Sequence, residues 1–246
     1  MQGFWRFIND PRRIAGIFGI IFTVLFIVAG PILQADVPNA NDDVGVIRAY
    51  WVDHGDRYLA GDFLFAIAVI VFFVPFVVAL RSVLESSDKS GGMWARMMLT
   101  GALIGVLLGG AGAAASGALA LNGAEGLDDS TLQFATRAGA YSLQGLGFGF
   151  ALMLIAAAIL IAQSRVLWRW LAVLAALAAI ANIIGGLWVP DGDQEGVFGV
   201  LGFIGLVGAQ GWVLAVSIQM LLPGSRVLIG QEHPSHSEFA DLGTRP

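Results

Sequence analysis

The sequence predicts an all-α fold, a polytopic bundle of transmembrane helices with six spans. Of its 246 residues, 57% are hydrophobic and 13% are charged, which is about half the charged fraction of an average soluble domain. The mean hydropathy of +0.77 points the same way. Six apolar runs have about the 20 residues that a spanning helix needs, and their interiors lack the alternation of outer-membrane strands.

The six runs divide the chain into three parts. Residues 1–13 are predicted to lie on the cytoplasmic membrane surface, 14–222 to form the transmembrane domain, and 223–246 to form a polar cytoplasmic tail. The first run is too long for a signal peptide and "PILQAD" lacks a small-residue cleavage pattern, so we expect it to stay as an anchor. The predicted spans are 14–34, 59–80, 97–121, 138–162, 167–189 and 197–222.

The positions of Lys and Arg predict the orientation of the bundle. Ten of the 13 basic residues fall in the amino-terminal segment, the second and fourth connections and the tail. The other three, Arg48, Arg57 and Arg137, fall in connections that are otherwise acidic. Because cytoplasmic connections are the basic ones, both termini are predicted to lie inside, in a bacterial cytoplasmic (inner) membrane.

Similar helix ends suggest three related helical hairpins. The sequences "LRSVLE" at 80–85, "SRVLWR" at 164–169 and "SRVLIG" at 225–230 close the helices that run toward the cytoplasm. Such a repeat is similar to the internal duplication of transporters. The alternative is coincidence, since Ser, Arg and Leu are common at cytoplasmic helix ends.

Glycines three or four residues apart predict close helix packing. Small residues let two backbones approach, so van der Waals contact replaces the hydrophobic drive that is missing in lipid. Packing is the simplest interpretation, and a lined cavity or a partner interface is the alternative. The glycines are Gly101, Gly105, Gly109, Gly145, Gly149, Gly205 and Gly208.

Pro75 lies midway along the second predicted span. Proline removes one backbone hydrogen bond, so the sequence predicts a kink there. The kink is either a static bend or a hinge for transport.

The stretch "DHGDRYLAGDFLF" at 53–65 places Asp62 inside the start of the second span. Acids within a membrane are candidates for functional sites. If the helix enters near Tyr58, Asp62 lies about 6 Å deeper and shares a helix face with Tyr58. There it finds water or pairs with Arg57 or Arg137. The alternative is a structural carboxylate that joins two helices through a hydrogen bond or an ion pair.

Later spans hold further polar residues at similar or greater depth. Together with Asp62 they are predicted to surround one outward-facing cavity, or else each makes a separate interhelical hydrogen bond. The candidate cluster comprises Asp62, Tyr58, Arg137, Tyr141, Gln144, Asn182 and Gln210.

Several chemistries lack the residues they need. The absence of cysteine excludes disulfides, thiolate metal sites and cysteine nucleophiles. The histidines, His54, His233 and His236, lie outside the predicted helices, so we expect no haem and no metal. No phosphate loop or HExxH motif occurs. The expected partners are the lipid bilayer, bound lipid, and other proteins or copies of this chain, with no nucleic acid.

Three stretches, "RRIAGIFGIIFTVLFIVAG", "FVVALRSVL" and "SRVLWRWLAVLAALAAIANIIGG", together resemble a bacterial family of six-helix integral membrane proteins of unknown function. The resemblance covers most of the chain and rests on hydrophobic patterns and helix ends. It implies the six-span topology and brings no catalytic residues.

These features predict a non-catalytic integral membrane protein, an accessory or structural subunit whose glycine-rich faces pack in a membrane assembly. The first alternative is a small-solute or lipid-binding transporter with an outward-facing polar cavity around Asp62. The second is a lipid-modifying membrane enzyme with Asp62 as its base. That site would be thin, because no histidine, metal set or nucleophile accompanies the carboxylate.

Overall fold

The computed structural model describes residues 10–122, 124–164, 166–187 and 196–222. These residues form six long helices, and no strand occurs among them. Residues 1–9 of the predicted interfacial segment 1–13 lie outside the described residues, as does the tail 223–246. The rest of that segment, 10–13, forms the cap and first residues of the first helix. The helices are α1 (Pro11–Leu33), α2 (Val44–Ser87), α3 (Met93–Asn122), α4 (Asp129–Gln163), α5 (Arg169–Gly185) and α6 (Val197–Leu221).

All of these helices except α5 are long and apolar enough to cross a membrane, by length and composition. The prediction of an all-helical protein is therefore confirmed for the described residues, and five of the helices are candidates for spanning a membrane. Helix α5 is apolar but has only 17 residues, which is about 26 Å at 1.5 Å per residue. That is slightly less than the ~30 Å hydrocarbon core.

Helices α2 and α4 begin well before the predicted spans 59–80 and 138–162. Residues 44–58, expected in a connection, are helical, which also places His54 within a helix. Hydropathy did not reveal this extension because charged side chains interrupt it: Arg48, Asp53, Asp56 and Arg57. Tertiary packing stabilises it, since a buried cluster joins α2 to the end of α3 and the start of α4: Ile47, Tyr50, Trp51, Tyr58, Leu119, Ala120, Ala124 and Leu132. With 44 residues, α2 is about 66 Å long, roughly twice the hydrocarbon thickness.

Aspartates cap three of the helices. The side chains of Asp10, Asp43 and Asp128 accept hydrogen bonds from backbone N–H groups in the first turns of α1, α2 and α4. These N–H groups have no partner within the helix, so the caps define where each helix begins.

The helices pack in chain order as a closed ring, with α6 lying against α1. Neighbouring helices are antiparallel. In the closing pair, for example, Gly16 faces Leu221 and Gly19 faces Ser217, so residue numbers rise on one helix as they fall on the other. Side chains fill the interior of the ring, among them Phe22, Phe73, Phe150, Leu154 and Trp212.

Two π-helical segments interrupt the regular helices at prolines. Val28–Leu33 contains Pro31, and Ala68–Phe73 directly precedes the turn with Pro75. Proline lacks an N–H group and crowds the carbonyl four residues earlier, and a widened turn accommodates both effects. The irregularity that the sequence predicts at Pro75 thus lies in the turn before it.

Candidate functional site

Asp62 lies where α1, α2 and α3 meet. Its Oδ1 accepts a hydrogen bond of 2.8 Å from Nε2 of Gln34, the residue that follows α1. On the other side, a Cβ atom on Gly117 of α3 would lie only 3.1 Å from Asp62 Oδ2. Glycine at position 117 therefore leaves room for the carboxylate between the helices.

The two arginines considered as partners of Asp62 lie elsewhere. Arg57 donates to the carbonyl oxygen of Ala35 at 3.0 Å, and Arg137 donates to Oδ1 of Asn41 at 3.5 Å. Neither forms an ion pair with Asp62 within the part of the chain that the structure describes. Both side chains instead fix the connection between α1 and α2.

Asp62 is the inner end of a stripe of four side chains on α2, Tyr50, His54, Tyr58 and Asp62, which we call the α2 stripe. Residues four apart share a helix face and are separated by about 6 Å along the axis. Tyr50 and His54 stack, with ring centroids 5.1 Å apart and planes inclined by 17°. Tyr58 is buried against Trp51, with ring centroids 4.8 Å apart, and lies one helical turn before Asp62.

The outer end of the α2 stripe opens into a surface pocket of about 490 Å³. Tyr50 and His54 line the pocket together with the acidic side chains of Asp36, Asp42 and Asp53, and Asn39 and small apolar residues complete the lining. Nδ1 of His54 is buried and has no hydrogen-bond partner in the structure. The stripe therefore joins an acidic, water-exposed pocket to the carboxylate between the helices.

A second polar group lies between α4, α5 and α6. Nδ2 of Asn182 donates to the carbonyl oxygen of Ala178 at 2.8 Å. A Cβ atom on Gly147 would lie 3.2 Å from Oδ1 of Asn182 and 3.6 Å from Nε2 of Gln144, so both amides border this glycine. Gly205 of α6 makes room for Asn182 from the other side.

The predicted cluster is thus divided among different helix junctions. The structure brings Tyr58 and Asp62 together on α2, and Gln144 and Asn182 together between α4 and α5. Gln210 is 7% exposed, and neither of its side-chain polar atoms has a partner in the structure. Tyr141 is 43% exposed on the outer face of α4.

All seven glycines predicted to pack helices face another helix of the same chain. Gly101, Gly105 and Gly109 of α3 face Gly145 and Gly149 and their neighbours on α4. Gly205 and Gly208 of α6 face Asn182 and Ala178 of α5. The spacing that lets helices approach closely is therefore used within the bundle.

Sequence reasoning missed the neighbours of Asp62 that come from other parts of the chain, Gln34 and Gly117. No local pattern marks them, because only the packing of α1 and α3 brings them to α2. The outer half of the α2 stripe was also missed. The sequence does place Tyr50, His54, Tyr58 and Asp62 at intervals of four. This spacing puts them on one face only if residues 44–58 are helical.

Comparisons of this chain with protein-family models, curated proteins and solved structures found no match. Among the described residues, no group of three or more His, Cys, Asp or Glu side chains is arranged to hold a metal ion.

Proposed function

We propose that this chain is a non-catalytic integral membrane protein that serves as an accessory or structural subunit of an assembly in the bacterial inner membrane. The observation that carries the proposal is a small-residue face on α3 that the chain itself leaves uncovered. Gly110, Ala111 and Ala114 are exposed there, and a Cβ atom on Gly110 would meet nothing within 4 Å. Small residues four apart are typical of helix–helix interfaces in membranes.

The polar residues of the spans support a structural role. Asp62 is held by Gln34, Asn182 bonds Ala178, and the indole N–H of Trp212 donates to the carbonyl oxygen of Leu171 at 3.0 Å. Each of these hydrogen bonds gives a polar group a partner within the bundle. Such internal partners are required in lipid, where no water is available to bond polar groups. The transporter alternative needs these residues around one cavity, whereas they lie at separate helix junctions.

Six spans with both termini inside form part of the proposal. Helix α5, although shorter than the others, is the span that brings the proposed number to six. It lies antiparallel to α6 along its whole length. Trp168 N–H donates to Oε1 of Gln219 at one end, and Gly185 faces Gly202 at the other. Helix α6 is long and apolar enough to span a membrane. Because α5 lies beside it, α5 covers most of the same membrane thickness. The resemblance to a six-helix family stays a prediction and adds no residue roles.

Topology is tested by fusing reporters that are active on only one side of the membrane. We expect the amino terminus, residues 88–92 and the carboxyl terminus to report the cytoplasm, and residues 38–42 and 125–127 to report the outside. A carboxyl terminus outside, with the amino terminus inside, would remove α5 from the spans and contradict the six-span arrangement.

The subunit role is tested by substituting the exposed face of α3. Ala114→Leu should reduce copurification of the protein's own copies or of a stable partner in mild detergent by at least roughly tenfold, because a leucine side chain prevents close approach of helices. The matched control is Ala66→Leu, which introduces the same side chain at an exposed position on α2. A wild-type protein that runs as a monomer without any partner would contradict the proposal.

A further inference from the structure

We propose that Asp62 is a proton-binding site and that the α2 stripe is the path by which protons reach it from the acidic surface pocket. The inference rests on the membrane embedding of α2 that is part of the proposed function. It does not depend on the subunit role.

The geometry of the stripe carries the inference. Pocket, imidazole, phenol and carboxylate follow one another along a single helix face over about 18 Å from Tyr50 to Asp62. Each of these groups except the stacked Tyr50 ring is suited to proton relay. His54 lines the pocket and has an unpartnered Nδ1, and Tyr58 is buried one helical turn before Asp62. Successive groups lie about one helical turn apart, a gap that one water with two hydrogen bonds bridges.

The transfer balances without any further reactant. His54 takes a proton from water in the pocket and passes it on as imidazolium. The Tyr58 hydroxyl oxygen accepts that proton while its own proton passes to Asp62, which changes from carboxylate to carboxylic acid. His54 and Tyr58 end as they began, so the net change is one proton moved from the pocket to Asp62, and release follows the reverse order.

Among the described residues, no cationic side chain faces Asp62, so none competes with a proton for the carboxylate. The amide of Gln34 comes from the end of α1 and Gly117 comes from α3, while Tyr58 lies one turn earlier on α2 itself. Arg57 of α2 and Arg137 of α4 donate hydrogen bonds to Ala35 and Asn41 instead. Gln34 holds Oδ1, so Oδ2 is the oxygen that takes the proton.

The experiment is infrared difference spectroscopy on the purified full-length protein in lipid nanodiscs. On acidification, wild type should show a carboxylic-acid carbonyl band that Asp62→Asn lacks. After a jump into heavy water, the deuterium shift of that band should be about 100-fold slower in Tyr58→Phe, the lower range for a positioned proton-transfer group. It should also slow in His54→Phe.

Tyr141→Phe is the matched control, because it removes the same hydroxyl from an exposed position on α4, and its exchange should equal that of wild type. Asp62→Glu guards against a misfolded Asp62→Asn, since it should restore a carbonyl band at a shifted frequency. If neither Asp62→Asn nor Asp62→Glu alters any titrating band, the proposal is overturned. It is also overturned if Tyr58→Phe exchanges at the wild-type rate. Loss of partner copurification in Ala114→Leu reports on the subunit role alone, so the two proposals fail independently.

Discussion

Gly149 of α4 faces Gly105 of α3 so closely that a Cβ atom on Gly149 would overlap the backbone of Gly105. The two helices are therefore in backbone contact at the middle of the bundle. Gly101 extends this contact by a turn, since its Cβ would lie 2.5 Å from the backbone nitrogen of Met153. In lipid, where burial of apolar surface gives no drive for association, such contact holds helices together through van der Waals attraction.

Gly149→Ala should destabilise the bundle by about 1–3 kcal/mol, the cost of forcing extra atoms into packed surroundings. The helices must separate, since the new methyl group meets backbone rather than a flexible side chain. Thermal unfolding in detergent measures the effect. Gly211→Ala on α6 is the control, because nothing lies within 4 Å of its Cβ position and alanine favours the helix by up to about 1 kcal/mol. Equal losses in both variants would show that the α3–α4 contact is looser than described.

Gln34→Leu should destabilise the protein by about 1 kcal/mol, the scale of a hydrogen bond between membrane helices. The substitution removes the donor to Asp62 and keeps a side chain of similar size against Gly61. A double-mutant cycle with Asp62→Leu isolates the pairwise energy. Strictly additive effects of the two substitutions would mean that this hydrogen bond contributes nothing to stability.

Arg48 and Asp129 should respond differently to substitution, although they form an ion pair of 2.7 Å. The Asp129 side chain is 77% exposed, so Asp129→Asn should cost less than about 1 kcal/mol. Arg48→Met should cost about 2 kcal/mol, because Arg48 also donates to the carbonyl oxygen of buried Ala124. Chemical unfolding of both variants measures the difference, and equal costs would contradict the importance of the Ala124 contact.

The cap at Asp128 should make stability depend on pH in the acid range. Hydrogen bonds from the Ser130 hydroxyl, and from the Thr131 hydroxyl and backbone N–H, hold the pKa of Asp128 below its ordinary value of 3.8. A lowered pKa gives a stabilising contribution that is complete above pH 3.8 and is lost as the pH falls through the lowered value.

Asp128→Asn is the natural comparison, because asparagine also caps helices but does not titrate. Melting temperatures of the two proteins, measured in detergent from neutral pH downward, should differ by a constant amount until about pH 4. Below that the advantage of the wild type should shrink. A difference that stays constant into strong acid would show that the carboxylate is not the stabilising form of the cap.

Much of the fold was predictable from the sequence. Apolar runs and low charge predict spanning helices because lipid tolerates only backbone that is bonded internally, and the spacing of glycines predicts which faces approach closely. Helix ends were less predictable. The starts of α2 and α4 carry charged residues that lower their hydropathy. They are helical because Ile47 and Trp51 share a buried cluster with the distant residues Leu119 and Leu132.

The sequence by itself determined the helical class, the apolar segments and the presence of a carboxylate within one of them, since these follow from composition and local period. Only the tertiary structure decided what that carboxylate contacts. Asp62 lies against Gln34 and Gly117 and not against an arginine. The reason is that the ring of antiparallel helices sets which residues lie at the same level along the bundle. That level depends on packing between segments far apart in the chain, so no local sequence pattern predicts it.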